Sequence, residues 1–423
     1  MKYLLCCFFL LFTTAINAQA DKVYSSTISG IKLFQQGNQF SYPIINLGTT
    51  GTLELHFDDL DPQVKNYNYT YQLCDANWQA SDLNALDYIQ GFTQNNLNQY
   101  RFSSVAKVRY VHYQVILPEQ NCVPTKAGNY LLKVFLNGDT SKLAFTRRLL
   151  IVNNILTTGV SIQQPYNSQL MQTTQKVQFT VNVGKLNIFN PQQQLKVVVL
   201  QNYRWDNAKT NLQPLFMRGN MYEYNGEQDC LFPAGKEYRW ADLRSFRFLS
   251  ERIAGVDRST QPVTINLIPD VQRTAERLMM YQDVDGFFQI STTDANNPWW
   301  QGDYGNVNFT FSTLNQQPFA DKDVYILGEL TGNRLSDSNK MVFNAGKGRY
   351  EKSLFLKQGF YNYIYVTRDK SGRGNAETYL TEGDYWETEN DYTVLVYYRS
   401  LSGRHDELVG VTTVNSRTGK IKY

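Results

Sequence analysis

The chain has 423 residues, a formal net charge of +3, 19% charged residues and 14% aromatic residues. This length is enough for about two to four domains with cores of their own. The near-balance of 41 basic and 38 acidic residues gives no electrostatic basis for binding nucleic acid or an anionic membrane. With three His and five Cys, metal or nucleophile chemistry has few candidate residues.

The first twenty residues have the features of a Sec signal peptide. Lys2 supplies a positive start, residues 3–16 are largely apolar, and Ala18-Gln19-Ala20 is a small-x-small cleavage site. We therefore expect residues 1–20 to be removed on export. No later stretch approaches about eighteen apolar residues, so the mature chain is expected to have no transmembrane helix.

Alternation of apolar and polar residues dominates the rest of the chain. This period of two predicts half-buried antiparallel strands and an all-β protein made of sandwich-like domains. The clearest alternating segments are residues 67–73, 177–183, 307–311, 361–365 and 392–398.

Turn sequences separate several of these segments. Asn137-Gly138-Asp139 follows one predicted strand, and Asp285-Gly286 precedes another. Helical periodicity is scarce, with one possible turn at 83–88 and one short amphipathic stretch at 273–281.

Two polar stretches with little pattern, near 153–165 and 314–321, mark candidate domain boundaries. They divide the chain into three consecutive β-sandwich-like domains. We predict an N-terminal domain at 21–153, a middle domain at 154–318 and a C-terminal domain at 319–423.

Three cysteines remain after the predicted cleavage. Cys74 and Cys122 are the pair that one domain could bridge in an oxidising compartment, and three buried free thiols are the alternative. Cys230 follows Glu227-Gln228-Asp229, and these acidic neighbours raise a thiol pKa, so Cys230 is a poor nucleophile candidate.

The sequence lacks the common motifs of catalytic, metal-binding and cofactor-binding sites. The chain has no His-Glu-x-x-His, Gly-x-Ser-x-Gly or complete phosphate-loop motif. No nucleophile signature accompanies His56, His112 or His405, which we interpret as structural histidines. We predict no catalytic residue, no metal site and no cofactor, and hence no enzyme.

Two acidic stretches have both a functional and a structural interpretation. Asp283-Val284-Asp285-Gly286 matches a fragment of a calcium-binding loop, but the remaining ligands are missing and a hairpin turn explains it better. Asp58, Asp59 and Asp61 could supply a glycosidase pair, but carboxylates this close in sequence usually lie in a solvated loop.

Trp299 and Trp300 follow Asn296-Asn297-Pro298. Paired tryptophans can form an exposed platform for a sugar or for a protein partner, or they can close the end of a sandwich core. The sequence leaves both interpretations open.

A series of short motifs runs in order through almost the whole mature chain. The N-terminal part has Tyr-Thr-Tyr-Gln-Leu-Cys-Asp-Ala-Asn-Trp at 69–78 and Ala-Gly-Asn-Tyr-Leu-Leu-Lys-Val at 127–134. The middle part has Ala-Gly-Lys-Glu-Tyr-Arg at 234–239 and Gly-Asp-Tyr at 302–304. Later motifs lie at 356–363, 387–392, 397–399 and 404–406.

This order of motifs resembles the plug proteins of the type IX secretion system of Bacteroidetes. One departure is Leu73, where the family commonly has His before the cysteine. The motif residues to which the resemblance assigns a structural role are Trp78, Tyr88, Gly91, Gly128, Glu237, Arg239, Gly359, Tyr363, Glu389, Tyr398 and Arg404.

The resemblance implies a periplasmic protein associated with the inner face of the outer membrane. Its partner would be the giant translocon β-barrel, whose periplasmic mouth it would close when no cargo is engaged. Neither nucleic acid nor a small-molecule substrate is expected, and the sequence does not identify the residues that contact the barrel.

An alternative comes from residues 324–366, which resemble an early-set, glycogen-binding-like immunoglobulin module. Such modules usually carry a Trp where Asn333 stands, and that ring stacks on sugar. A periplasmic or surface carbohydrate-binding protein is therefore the second hypothesis.

Overall fold

The structure, a computed structural model, describes residues 20–422, and the side chains of the last two of these are not described. The predicted signal peptide lies outside the described residues except for Ala20. Within the described part of the chain, no helix is long and apolar enough to cross a membrane.

Residues 28–152 form a sandwich of two main sheets. One sheet has the strand order β1-β3-β8-β7 and the other β2-β11-β10-β4-β6, and β5 pairs with β9. Tyr67, Tyr69, Tyr71 and Leu73 point into the core between the sheets, as their alternation predicts. A 3-10 turn spans Ala85–Asp87. The strands are β1 (Ile28–Gln35), β2 (Ile44–Asn46), β3 (Leu53–Asp59), β4 (Tyr67–Cys74), β5 (Ile89–Gly91), β6 (Asn95–Asn96), β7 (Gln99–Phe102), β8 (Val111–Leu117), β9 (Cys122–Pro124), β10 (Gly128–Leu136) and β11 (Leu143–Val152).

The next segment supplies part of a second sandwich. β13 is flanked by β12 and β17, with β16 at the sheet edge, while β14 and β15 belong to the opposite sheet. A single helical turn, α1 (Pro191–Gln194), precedes β14. The strands are β12 (Thr157–Gln163), β13 (Thr174–Asn182), β14 (Leu195–Gln201), β15 (Arg204–Lys209), β16 (Phe216–Arg218), β17 (Met221–Tyr224) and β18 (Leu231–Pro233).

A third sandwich follows, with β28 and β24 as its central strands. β28 pairs with β19, β23 and β25, and β24 pairs with β21, β22 and β27. α2 (Pro298–Gln301) precedes β24, and a 3-10 turn spans Glu329–Thr331. The strands are β19 (Arg239–Asp242), β20 (Ile253–Asp257), β21 (Val263–Leu267), β22 (Asp270–Val271), β23 (Phe288–Ile290), β24 (Tyr304–Ser312), β25 (Lys322–Leu327), β26 (Val342–Asn344), β27 (Arg349–Lys357) and β28 (Gly359–Asp369).

The chain then returns to the second sandwich with its last strands. β29 (Asp391–Tyr398), β30 (Glu407–Asn415) and β31 (Ile421–Lys422) complete the sheet β15-β14-β29-β30-β31. β29 runs antiparallel to β14 along its full length, from Leu195 opposite Tyr398 to Gln201 opposite Tyr392. The third sandwich is thus inserted between two parts of the second.

The all-β prediction is confirmed, but the strand pairing does not follow the predicted boundary between residues 318 and 319. Strands on both sides of that point, β24 and β27, are hydrogen-bonded neighbours in the third sandwich. The predicted C-terminal unit is shared between two cores, because β28 packs in one core and β29 in another. The polar stretch at 314–321 is therefore a loop inside a domain.

The amphipathic stretch at 273–281 is not helical. The carbonyl oxygens of Arg273 and Glu276 accept hydrogen bonds from the buried Lys236 ammonium instead of continuing a helical ladder. A tertiary contact overrides the local preference here.

Candidate functional site at the domain junctions

The junction between the first and third sandwiches is built around Asp58 at the end of β3. Its carboxylate accepts hydrogen bonds from the Tyr304 hydroxyl (2.6 Å) and from the ammonium of Lys357. Asp58 and Lys357 are both almost fully buried. Burial opposes the charged carboxylate, but Lys357 and His112 outweigh it and hold the pKa of Asp58 below its ordinary value. This buried ion pair joins the two domains.

Two histidines extend this cluster. His112 Nδ1 lies 2.7 Å from Asp58 Oδ1, and His112 Nε2 lies 3.1 Å from His56 Nδ1. His56 Nε2 in turn lies 3.2 Å from the Glu54 carboxylate. Burial, helped by the neighbouring His112, lowers the pKa of His56 to about 3. Burial also lowers the pKa of His112, so burial favours the neutral form of both rings in the junction.

The two tryptophans close the same junction. Trp299 stacks on the His56 ring with a centroid distance of 3.8 Å, and the guanidinium of Arg101 lies 4.8 Å from the centre of the Trp300 ring. Both tryptophans are partly buried, so neither indole presents an open face to solvent. Of the two interpretations that the sequence left open, packing is the one the structure supports.

The prediction of a solvated loop at Asp58, Asp59 and Asp61 is wrong for the first two residues. Asp58 and Asp59 are 1% and 0% exposed. Asp59 accepts a hydrogen bond from the Tyr67 hydroxyl (2.7 Å) and pairs with Lys65. These tertiary partners make burial of the two charges possible.

A second ion pair between the same domains joins Lys32 on β1 to Glu329, with 2.6 Å between Nζ and Oε2. Lys32 Nζ also donates to the carbonyl oxygen of Phe288 (2.9 Å). Burial lowers the pKa of Lys32, and Glu329 opposes that effect. Two separate ion pairs, made by the buried ammonium groups of Lys357 and Lys32, thus attach the first domain to the third.

The junction between the first and second sandwiches is mainly apolar. The outer faces of two sheets meet there, with Trp78 and Trp205 edge to face at 5.0 Å. The guanidinium of Arg148 lies 4.8 Å from the Trp78 ring centre. Asp406 accepts hydrogen bonds from the Ala76 N–H (2.9 Å) across this junction. The fully buried members of this apolar cluster are Ala76, Leu150, Val152, Val198, Leu200, Leu395, Tyr397 and Leu408.

The two chain connections between the second and third sandwiches carry two charged clusters, of which the first is mostly buried and the second partly buried. In the first, the arginine cluster, Arg239 binds Glu382 (Nη2 to Oε2 2.9 Å) and Asp270 (Nη1 to Oδ1 2.8 Å). Arg273 also donates to Glu382, and Arg252 to Asp270. Burial alone would raise the pKa of Glu382, but Arg239 and Arg273 lower it to about 2. The cluster consists of Arg239, Arg252, Arg273, Asp270 and Glu382.

The second, the acidic cluster, consists of Glu237, Asp283, Asp285, Glu389 and Asp391. Carboxylate oxygens of Glu237, Asp283 and Glu389 lie within 4.8 Å of one another, as do those of Asp285, Glu389 and Asp391. Burial, followed by repulsion from Asp283, raises the pKa of Glu237 to about 7, and burial raises that of Asp283 to about 6. All members except Glu237 line a cleft of ≈ 430 Å³.

Comparison with known proteins now identifies the family. The model described as "Type 9 secretion system plug protein 1st domain" matches residues 28–153. Residues 28–153 therefore form a first domain of the type IX secretion system plug protein family. This confirms the relationship that the order of the sequence motifs indicated.

A solved structure is similar over nearly the whole chain. It is the crystal structure of a hypothetical protein from Parabacteroides merdae ATCC 43184 at 2.30 Å resolution. The two chains are 32% identical and superpose with a TM-score of 0.90, covering 94% of this chain and 100% of the other. No curated protein sequence matches this chain significantly.

Four of the plug-family motif residues come together at the two charged clusters. Arg239 and Tyr363 meet at Asp270, to which the Tyr363 hydroxyl donates (2.8 Å). Glu237 and Glu389 meet in the acidic cluster. The side chains of Arg239 and Tyr363 thus come together although more than 100 residues separate them in the sequence.

Three more motif residues lie at the junction of the first and second sandwiches. Trp78 has a left-handed backbone (φ +64°) and packs there. A side chain at Gly128 would contact Leu73 and the Asp406 carbonyl oxygen at 3.0–3.1 Å. Arg404, which is exposed, donates to the Asp82 carbonyl oxygen (3.2 Å).

The remaining motif residues are local to one domain. Tyr88 packs in the first core, and Tyr398 donates to the Asn187 carbonyl oxygen (3.1 Å). Gly91 has φ +93°, and a Cβ there would lie 2.2 Å from the Asn121 carbonyl oxygen. A Cβ at Gly359 would lie 2.3 Å from the Gln289 carbonyl oxygen. Close backbone approach therefore requires glycine at both positions.

The three described cysteines are buried free thiols, which contradicts a Cys74–Cys122 bridge. Cys122 lies in the first core, whereas Cys74 follows the inward-facing Leu73 and lies on the other side of β4. Burial, with a further contribution from Asp229, raises the pKa of Cys230 to about 12. This agrees with its assignment as a poor nucleophile.

Sequence reasoning missed Asp58, Lys357, Asp270 and Glu382 as junction residues. The sequence feature that could have indicated such residues is a charged residue inside or beside an alternating strand. Lys357, which follows Leu356, is an example. The sequence does not indicate which distant residue each charge meets.

The surface of the second sandwich has a run of exposed apolar side chains at the sheet edge. Leu215, Phe216 and Met217 are 56%, 47% and 56% exposed, and Met221 on the neighbouring strand is also exposed. Consecutive exposed apolar residues of this kind are typical of a protein-contact surface.

Proposed function

We propose that this protein is a non-enzymatic component of the type IX secretion system that plugs its outer-membrane translocon. It binds the periplasmic mouth of the giant translocon β-barrel and closes the pore when no cargo is engaged. The observation that carries this proposal is the match of residues 28–153 to the first domain of the plug proteins.

The junctions support this role physically. A very wide barrel leaks unless a rigid body fills or covers its opening. Here the Asp58–Lys357 and Lys32–Glu329 ion pairs and a shared apolar cluster join three sandwiches. Buried ion pairs of this kind hold one arrangement of the domains, because separating the partners would leave a charge buried without compensation.

The composition supports a reversible contact. A plug must leave the pore when cargo passes, so its interface is expected to be polar and hydrated rather than strongly apolar. The chain has 19% charged residues and 29 Tyr, and its exposed apolar run at residues 215–217 is short. We propose a periplasmic location at the inner face of the outer membrane, reached through the expected signal peptide.

Affinity purification from gently solubilised outer membranes tests the proposal. A tagged chain is expected to bring down a very large β-barrel protein in near-stoichiometric amount. The conductance of that barrel in a planar bilayer is then expected to fall when the purified chain is added to its periplasmic side. A chain that purifies without such a barrel, or that leaves the conductance unchanged, would contradict the proposal.

A matched pair of variants links plugging to rigidity. Lys357→Met removes the buried cation at the junction, whereas Lys352→Met changes a half-buried lysine of the same strand that bonds the Asp337 carbonyl oxygen at the surface. We expect the first variant to close the pore less completely and the second to behave as wild type. Equal conductance block by both folded variants would argue against a rigid-body plug.

A further inference from the structure

A cavity of ≈ 450 Å³ lies where all three sandwiches meet. The first sandwich lines it with Arg147, the second with Tyr203 and Trp205, and the third with Phe287 and Arg334. Pockets of about 300–1,000 Å³ hold small molecules, and they occur preferentially between domains. This three-domain cavity is therefore large enough for a small organic ligand that touches every sandwich.

Positive charge exceeds negative charge around the three-domain cavity. Its lining includes four arginines and four carboxylates. Two of the carboxylates, Glu329 and Asp206, bind Lys32 and Arg204, which lie outside the lining. With these two partners counted, six cations face four carboxylates. The lining arginines are Arg147, Arg148, Arg334 and Arg368, and the lining carboxylates are Asp21, Asp206, Asp285 and Glu329.

The excess positive charge belongs to Arg147, Arg334 and Arg368. None of these three forms an ion pair within the described part of the chain, whereas Arg148 does. Arg147 and Arg334 donate instead to main-chain carbonyl oxygens, each at 2.8 Å. The acceptor of Arg334 is the carbonyl oxygen of Ala20, which the expected signal-peptide cleavage would remove. Most N–H groups of these guanidiniums are thus free to bind an anion.

Two further observations indicate that the guanidinium groups lack compensation. The Nε atoms of Arg148 and Arg368 are buried without a hydrogen-bond acceptor. Burial lowers the pKa of Arg147, two neighbouring carboxylates oppose this effect, and repulsion from Arg334 adds to it. An anion between Arg147 and Arg334 would relieve this repulsion and accept their N–H groups.

The rest of the lining indicates that the anion has an apolar body. Tyr203, Trp205 and Phe287 supply aromatic surface, which packs well against apolar groups. Guanidinium groups bind the oxygens of a carboxylate or a phosphate in a bidentate manner. A few charged groups in a largely apolar cavity are the usual composition of a small-molecule site.

We propose that the three-domain cavity binds a small organic oxyanion. Its carboxylate or phosphate group lies between Arg147 and Arg334, and its apolar body packs against Tyr203, Trp205 and Phe287. The bound molecule touches all three sandwiches and holds them in one arrangement. This proposal rests on residues of this chain alone and is independent of the plug role.

Calorimetric titration of the purified chain with benzoate, phenyl phosphate and inorganic phosphate at constant ionic strength tests the site. We expect benzoate or phenyl phosphate to bind with a Kd between about 10 µM and 1 mM and to raise the Tm. The tighter of the two identifies the preferred oxyanion. Inorganic phosphate, which has no apolar body, should bind more weakly by about tenfold or more. Benzamidine, a cation with the shape of benzoate, is the charge control and should not bind.

Arg147→Gln and Arg334→Gln are each expected to weaken binding of the preferred probe by about tenfold or more. Arg334 lies outside the helices and strands, so the second variant tests the site even if the first is unstable. Arg218→Gln is the matched control, because Arg218 is an exposed arginine outside the lining. It is expected to bind the probe as the wild type does.

The proposal would be overturned by the absence of binding heat and of any Tm change with benzoate and phenyl phosphate up to about 10 mM. Folded Arg147→Gln and Arg334→Gln variants with wild-type affinity would also overturn it, as would benzamidine that binds as tightly as benzoate. Inorganic phosphate that binds as tightly as phenyl phosphate would overturn the assignment to an organic ligand.

Discussion

Two charged clusters on the same chain connections, one buried and one only partly buried, have opposite charge balances. The arginine cluster places three guanidinium groups against two carboxylates, and the acidic cluster places five carboxylates near Arg417. Glu237 and Arg239, two residues apart, belong to different clusters. The pKa of Glu382 is about 2 in the first, and that of Glu237 is about 7 in the second.

The comparison shows that burial alone does not decide what a carboxylate does. Glu382 is fully buried, but its carboxylate accepts hydrogen bonds from two arginines and from the Tyr365 N–H. Its buried negative charge is therefore compensated. Glu237 is equally buried and has an oxygen without a donor. The charged groups beside a carboxylate, together with its burial, therefore decide the direction in which its pKa moves.

The largest expected effect comes from breaking the balanced cluster. Glu382→Gln leaves Arg239 and Arg273 buried without their carboxylate and should lower the free energy of unfolding by about 3 to 5 kcal/mol. Because the folded pKa of about 2 lies below the ordinary 4.5, this contribution is present above pH 4.5 and is lost as the pH falls through 2. Urea unfolding at pH 7 measures the effect, and a loss below about 1 kcal/mol would contradict it.

A smaller effect of opposite sign is expected in the acidic cluster. The folded pKa of Glu237, about 7, lies above the ordinary 4.5, so its ionisation destabilises the folded chain as the pH rises through 7. At pH 8, Glu237→Gln should therefore be about 3 kcal/mol more stable than wild type, and at pH 5 within about 1 kcal/mol of it. Thermal unfolding at both pH values measures this difference, and equal stability of variant and wild type at pH 8 would contradict it.

The His56 ring extends the comparison to a buried base. Its folded pKa of about 3 lies below the ordinary 6.5, so its contribution to stability is full above pH 6.5 and falls as the pH is lowered towards 3. At pH 5.5 the loss should be about 1 kcal/mol relative to pH 8. His56→Gln should flatten this part of the pH profile, and an unchanged slope in the variant would show that another group is responsible.

The smallest effect is expected at Glu351, whose pKa is also about 2. Its hydrogen bonds to Asn344 and Lys347 lower the pKa, but 31% of its side chain is exposed. Because solvent screens such pairs, Glu351→Gln should cost less than about 1 kcal/mol. If urea unfolding gave this variant a loss as large as that of Glu382→Gln, burial would not explain the difference between the two sites.

Much of the fold could be predicted from local sequence, since strand alternation depends on near neighbours alone. The segments at 67–73 and 177–183 form strands whose apolar residues face a core, as predicted. Residues 392–398 also form a strand, but both of its faces are buried. Tyr392, Val394 and Val396 face one core, and Leu395 and Tyr397 face another.

The sequence by itself determined the strand positions, the family and the scarcity of helix, because these follow from short-range pattern and motif order. The tertiary structure alone decided that β29 returns to β14, that Asp58 meets Lys357, and that Glu237 meets Glu389. These contacts join residues between about 150 and 300 positions apart, and no local periodicity encodes such pairing. The sequence therefore contains every residue of the charged clusters but does not indicate that these residues meet.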